Sequence, residues 1–171
     1  MRLVACSVLL LTSSAGAADF RGVDFGTSCD IVDAHENALG SRKIPGRFGT
    51  PLEHRFTGYS FGREVVVLYL CDKDGLRIGS ELYHGERFDD VAEHYRAVYA
   101  RLASLYGPPA DEWSERSHRQ DRPELPHAGG ENQGSFHASW LTAGLLVRLD
   151  LARTRDQQWL TGLVVSRARF N

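Results

Sequence analysis

The sequence predicts an α+β fold in which an antiparallel sheet of about five to seven strands carries two main helices packed on one face. Residues 63–71 are dense in β-branched and aromatic side chains, which favours a strand. Residues 88–106 carry apolar side chains at helical spacing, which favours an amphipathic helix. The remaining segments give the order β-α-β-β-β-α-β-β-β, which is typical of helices packed against an antiparallel sheet.

The first helix is predicted over residues 28–39, after a short strand at residues 20–25. Thr27 and Asp30 have the spacing of a capping box, and Gly40 stands where a left-handed residue ends many helices. Five residues at spacings of three and four make the predicted apolar stripe: Ile31, Val32, His35, Ala38 and Leu39. His35 is therefore interpreted as a hydrogen-bonded core histidine rather than a ligand.

Three strands are predicted next, after a basic loop at residues 41–51. They cover residues 54–59, 63–71 and 76–83, and the last two are joined by the turn sequence at residues 72–75. Residues 63–71 are apolar on both faces of the strand. This pattern predicts a central strand that is covered on both sides.

The second helix is predicted over residues 88–106, with Asp89 as its N-cap and Gly107 followed by two prolines as its stop. A long polar loop follows at about residues 107–135. The last three strands are predicted at residues 136–141, 145–151 and 159–169.

Residues 1–18 have the pattern of a cleaved secretory signal peptide, with Arg2, an apolar run at residues 3–11 and an A-x-A site at residues 15–17. A membrane anchor needs about 20 apolar residues, which this run does not reach. A lipoprotein signal is the nearer alternative, but Cys6 leaves no apolar core ahead of it. The sequence therefore predicts export of a single domain, residues 19–171, to the periplasm if the source is Gram-negative and to the medium otherwise.

The exported chain retains two cysteines, Cys29 and Cys71, because Cys6 belongs to the leader. An even pair in an oxidising compartment predicts one disulfide. The alternative is two separate thiols, but there is no C-x-x-C and no adjacent histidine to activate either one. The net charge of −2 and the mixing of acidic residues among the arginines argue against a nucleic-acid partner. No later segment is apolar for long enough to predict a membrane span after cleavage.

The sequence gives only weak indications of two metal sites and no complete catalytic motif. The acidic turn at residues 72–75 lacks the first oxygen ligand of a calcium loop, since Leu70 stands there. His84 and His94 have no H-E-x-x-H spacing for zinc, and no G-x-S-x-G or Gly-rich phosphate loop is present. No cofactor is predicted, and no residue is assigned a catalytic role.

The long loop holds the candidate binding residues, because binding residues are over-represented on such loops. They are Trp113, His118, Arg119, Arg122 and His127. A tolerated insertion without a role is the alternative. The sequence thus predicts an exported binding or interaction protein that holds a protein or an envelope component. The alternative prediction is a small envelope hydrolase whose site is assembled from distant residues such as His84, Glu86 and His137.

Overall fold

The computed structural model describes residues 19–45, 52–114, 135–142, 144–154 and 156–168. The predicted signal peptide, residues 1–18, therefore lies outside the described residues. Within them the elements are β1 (Asp19–Phe20), β2 (Val23–Asp24), α1 (Cys29–Ala38), β3 (Arg42–Ile44), β4 (Glu53–Ser60), β5 (Arg63–Asp72), β6 (Gly75–Gly85), α2 (Phe88–Tyr106), β7 (Asp111–Ser114), β8 (Phe136–Thr142), β9 (Leu145–Arg153) and β10 (Trp159–Arg167).

One antiparallel sheet of eight strands organises the molecule, in the order β3-β4-β5-β6-β10-β9-β8-β7. Two meanders of neighbouring strands meet at the β6–β10 pair, and α2 connects β6 to the far edge at β7. The predicted number of five to seven strands is too small. The unpredicted strands are β3, inside the predicted basic loop, and β7, inside the predicted long loop.

Both unpredicted strands are short edge strands, of three and four residues. An edge strand this short shows little alternation of its own, because hydrogen bonds to the neighbouring strand hold it in place. The predicted strand at residues 20–25 is also corrected. It is a hairpin of β1 and β2, turned at Arg21 and Gly22, which both have positive φ (55° and 80°). That combination matches a type I′ turn.

Both helices contact the same face of the sheet. On β5 and β6 this face carries Val67 and Tyr69 beside Glu81 and Gly79 in register. The Tyr69 hydroxyl donates to Glu36 of α1, which places α1 there. On the same face Thr161 of β10 donates its hydroxyl to the α2 carbonyl of Val91 at 3.1 Å.

The second helix has the predicted bounds, but it begins directly after Arg87, so the predicted N-cap at Asp89 is wrong. Gly107 ends the helix at φ 80°, and its carbonyl accepts a hydrogen bond from Trp140 Nε1 at 2.9 Å. Seven residues form the buried side of the helix: Phe88, Val91, Ala92, His94, Tyr95, Val98 and Leu102. Packing of this stripe on β6, β10, β9 and β8 forms the larger part of the core.

The first helix buries only part of the predicted stripe. Ile31 and Leu39 are 59% and 54% exposed, whereas Val32 and Glu36 are fully buried. His35 is half-buried, and its Nε2 lies 2.8 Å from the Arg21 carbonyl, so it is hydrogen-bonded as predicted. The predicted capping box is absent, because Ser28 is the N-cap and makes no side-chain cap. The helix is therefore rotated so that an acidic residue, rather than Ile31, faces the sheet.

The predicted disulfide between Cys29 and Cys71 is confirmed, with the two Cα atoms 6.3 Å apart. It ties the first turn of α1 to the end of β5. The bridge closes a segment with a sequence separation of 42 residues. Together with the buried Glu36, it sets the side of α1 that faces the sheet.

Candidate functional site

The face of the sheet opposite the helices carries aliphatic side chains along its three central strands. Side chains alternate between faces along each strand, so register identifies the members of this second face. We call it the open face, because no helix of the described residues lies on it. Its central members, on β5, β6 and β10, are Val66, Leu68, Leu70, Ile78, Ser80, Leu82, His84, Leu160, Gly162, Val164 and Ser166.

Large and small side chains alternate across the middle of the open face. Ser80 pairs with Val164, and one register step away Leu82 pairs with Gly162. Both small residues are buried, while the aliphatic side chains around them are half-buried. The surface is therefore corrugated rather than flat.

One end of the open face carries a groove of about 550 Å³. Leu141 and Leu146, which pair on β8 and β9, are 56% and 42% exposed there. Ile78 and Ser166 continue the groove onto the central strands, and Arg77 lies at its rim. Arg77 Nε is 3.1 Å from Asp72 Oδ2, so its charge is compensated within the chain.

A polar border lies beside the apolar centre, on β8 and β9. His137 Nδ1 is 2.8 Å from Asp150 Oδ1, and Arg148 Nε donates to the other carboxylate oxygen at 2.8 Å. His137 Nε2 is 4.0 Å from Asp111 Oδ2. Asp150 therefore orients the imidazole and pairs with an arginine that is itself 56% exposed.

The structure does not assemble the hydrolase site that the sequence suggested. His84 and His137 stand on β6 and β8, with β10 and β9 between them. Three strand spacings separate them by roughly 14 Å. Glu86 lies beyond the end of β6, on the link to α2. Burial lowers the pKa of His84, which is consistent with a neutral side chain on the sheet.

Neither metal site considered from the sequence is formed. His84 faces the open side of the sheet. Tyr83, which precedes it on β6, points to the helix-covered side, where it packs against His94 of α2. The acidic turn is a hairpin turn in which Asp72 Oδ1 accepts the amide of Asp74 at 2.8 Å. Within the residues that the structure describes, no group of three or more His, Cys, Asp or Glu is placed to hold a metal ion.

A buried ionic cluster lies on the helix-covered face. The Arg21 guanidinium donates to Glu36 Oε1 at 2.9 Å and also to Glu81 Oε1. Ser60 donates to the second oxygen of Glu81 at 2.8 Å, and Tyr69 donates to Glu36. The cluster joins the β1–β2 hairpin, α1 and the centre of the sheet.

The charges of this cluster compensate each other. Burial alone would lower the pKa of Arg21, but hydrogen bonds and charge from Glu81 and Glu36 raise it. Burial alone would raise the pKa of Glu36, but hydrogen bonds from Ser41, Tyr69 and Arg21 hold it below its usual value. Arg21, Glu36, Glu81, Ser60 and Tyr69 each bond to another member of the cluster, so its evident role is to hold the fold together.

Sequence reasoning missed this cluster. The spacing of Glu36 four residues after the buried Val32 was the available signal, because those two positions share a helix face. From sequence alone, a glutamate on such a face is predicted to be exposed to solvent unless its cationic partner is known. Here the partner is Arg21, which is remote in sequence and stands in a turn.

His94 is a second buried titratable group. It is 4% exposed, its Nδ1 has no hydrogen-bond partner in the described part of the chain, and its ring packs between Phe61 and Tyr83. Burial and the nearby positive charge of Arg63 lower its pKa to about 4. The residue is therefore neutral near pH 7.

The predicted binding loop is only partly described. Trp113 belongs to β7, where its backbone pairs with His137, so this candidate stands on an edge strand and not in a loop. His118, Arg119, Arg122 and His127 lie outside the described residues.

Comparison of the chain with protein-family models, with curated proteins and with solved structures gives no match. Across the described ranges, neither helix is long and apolar enough to cross a membrane. The open face, its polar border and the buried cluster are thus interpreted from their own geometry.

Proposed function

We propose that this chain is an exported interaction protein that holds a protein or an envelope component on the open face of its sheet, in the periplasm if the source is Gram-negative. One observation carries the proposal. The three central strands present aliphatic side chains on the side that no described helix covers.

Antiparallel sheets with one solvated face usually alternate apolar and polar residues along each strand. β5 departs from that rule, since Val66, Leu68 and Leu70 point away from the helices while Val67 and Tyr69 point towards them. Large contiguous apolar patches on soluble proteins mark interaction sites. This supports a partner for the open face and agrees with the sequence-based expectation that β5 is covered on both sides.

Export is supported by the leader pattern of residues 1–18 and by the disulfide between Cys29 and Cys71. Disulfides persist in oxidising compartments and are rare in the cytosol. N-terminal sequencing of the native protein is expected to start at Ala18 or Asp19. A native chain that begins at Met1 and stays in the cytosol would remove the export part of the proposal.

The hydrolase alternative gains no support from the described geometry, because its two histidines stand on β6 and β8 with β10 and β9 between them. The oriented pair of His137 and Asp150 is one feature of an acid–base site, and His54 is paired with Asp33 in the same way, with its Nδ1 2.6 Å from Asp33 Oδ1. An orienting carboxylate alone does not supply a reaction, since a nucleophile and a substrate site must lie within reach.

The test places a photo-crosslinking amino acid at Val164, in the centre of the open face, and in a matched variant at Ser104, on the exposed side of α2. Irradiation of intact cells is expected to give an adduct heavier than the monomer from position 164 and none from position 104. An absence of adducts from position 164 at native expression would reject the open face as a binding surface.

A further inference from the structure

We infer that the partner on the open face is a second copy of this chain, packed sheet against sheet about a twofold axis that crosses the central strands at right angles. This inference rests on the proposed function, since it names the occupant of the same surface. The two helices of each copy would then lie on the outer sides of the assembly.

The pattern of large and small residues is self-complementary about that axis. A twofold axis across the strands places each strand over the same strand of the second copy. It also places the row of residues that contains Ser80 and Val164 over the next row of the second copy, which contains Leu82 and Gly162. Ser80 of one copy then faces Leu82 of the other, and Gly162 faces Val164. Each small residue receives a large one, as interdigitated sheet-on-sheet packing requires.

The same operation gives complementary charges at the border. On β9, Arg148 lies in the row of Val164 and Asp150 lies in the row of Gly162. Exchange of the two rows puts Arg148 of one copy opposite Asp150 of the other. The four groups then alternate in sign, with the existing Arg148–Asp150 pair of each copy retained.

The size of the face also suits a dimer. The six longer strands have five spacings of ~4.8 Å and rise ~3.3 Å per residue, so the face that they form covers on the order of 700 Å². Stable protein interfaces bury about 800 Å² per partner. Residues 115–134 are a poor alternative cover on sequence grounds, because Leu125 is their only large aliphatic residue.

The mature chain with its disulfide intact is the sample for the test, and its mass is measured by light scattering and sedimentation across a dilution series. Wild type is expected to show twice the mass of one mature chain. Arg148→Asp and Asp150→Arg each place like charges opposite one another, so each variant alone is expected to be a monomer. Their equimolar mixture is expected to recover the dimeric mass, because every acid of one copy then meets a base of the other.

Arg101→Asp, a charge reversal on the exposed side of α2, is the matched control and is expected to remain dimeric. Circular dichroism of each variant verifies that it is folded, and Val164→Arg, which places a charged side chain in the centre of the open face beside Arg148, is expected to be a folded monomer. A monomeric wild type at every concentration overturns the inference, as does a mixture of the two border variants that stays monomeric beside a dimeric wild type.

The two proposals fail in different ways. A monomeric purified protein that still gives an adduct with another protein from position 164 in cells removes the second copy and leaves the open face as a binding surface. An unlinked position 164 together with a monomeric wild type removes both.

Discussion

Arg21 donates a hydrogen bond to the fully buried Glu36 at 2.9 Å from a backbone position with φ of 55°. Residues other than Gly, Asn and Asp rarely occupy such a turn position. The strain is tolerated because the guanidinium neutralises two carboxylates that would otherwise be buried without a cation. The Arg21 carbonyl is held in addition by His35.

Removal of this cation is expected to be strongly destabilising. Arg21→Met leaves Glu36 and Glu81 without their cation and should lower the free energy of unfolding by about 3 kcal/mol or more. Urea unfolding at pH 7 measures the change. The double variant Arg21→Met/Glu36→Leu should lose less than the sum of its two single variants, since the buried charge is removed as well. A loss from Arg21→Met no larger than that from an exposed arginine would contradict the role of the cluster.

His94 is expected to make stability fall as pH is lowered. Its pKa is lowered to about 4 in the folded protein, whereas the unfolded chain binds the proton near pH 6.5. Between these two pKa values the unfolded state binds a proton at His94 and the folded state does not. The free energy of unfolding therefore declines from about pH 6.5 towards pH 4. Between pH 7 and pH 5 the loss should be about 2 kcal/mol.

His94→Phe tests this assignment, because an aromatic ring of similar shape keeps the packing on Phe61 and Tyr83 but carries no proton. Unfolding curves at pH 7 and pH 5 should lie closer together for this variant than for wild type. The lowered pKa of Glu36 acts at lower pH, since its contribution is present above the usual glutamate pKa and is lost as pH falls through the folded value. An unchanged slope between pH 7 and pH 5 would show that His94 is not the group responsible.

The disulfide is expected to contribute several kcal/mol. Replacement of Cys29 and Cys71 by alanine releases a loop with a sequence separation of 42 residues, which corresponds to about 4 kcal/mol in the chain-entropy treatment. Thermal and urea unfolding of the double variant measure the loss. Thiol labelling of denatured mature wild type should give no signal without reductant and two labelled cysteines with it. Labelling of both cysteines before reduction would show that the bridge is not formed in the native protein.

Alanine substitution should be costly at one glycine of the central strands and nearly neutral at another. A Cβ at Gly79 would overlap the buried Phe20 ring, so Gly79→Ala should cost about 1–3 kcal/mol. A Cβ at Gly162 meets Leu82 Cδ2 at 3.4 Å, so Gly162→Ala is the matched control and should stay within ~0.5 kcal/mol. Both are measured on the monomeric Val164→Arg background if wild type is dimeric. Equal costs at the two positions would argue against the hairpin packing on Gly79.

The clearest local patterns predicted their elements well. The helix at Phe88–Tyr106 has the bounds expected from its apolar stripe, and β5 and β6 extend the predicted strands by a few residues. The cysteine pair was also correct, because composition and compartment narrow the choice to a single bridge. In these cases the residues that decide the structure are close in sequence or are the sole candidates of their type.

The candidate site was predicted less well. The apolar outer side of β5 was noticed in the sequence, but its continuation onto β6 and β10 depends on a register between strands that are more than 70 residues apart in the chain. The histidines proposed for a hydrolase were chosen by chemistry alone. Sheet order then placed them on different strands.

The sequence by itself determined the strong periodic elements, the disulfide partners and an α+β class, because each depends on side-chain pattern within a segment or on residue type. Only the tertiary structure decided the eight-strand order, the short edges β3 and β7, and the burial of Glu36 rather than Ile31. These features depend on pairings between distant segments. Hydrogen bonds and charge compensation across such pairings override the preference of an isolated helix or strand.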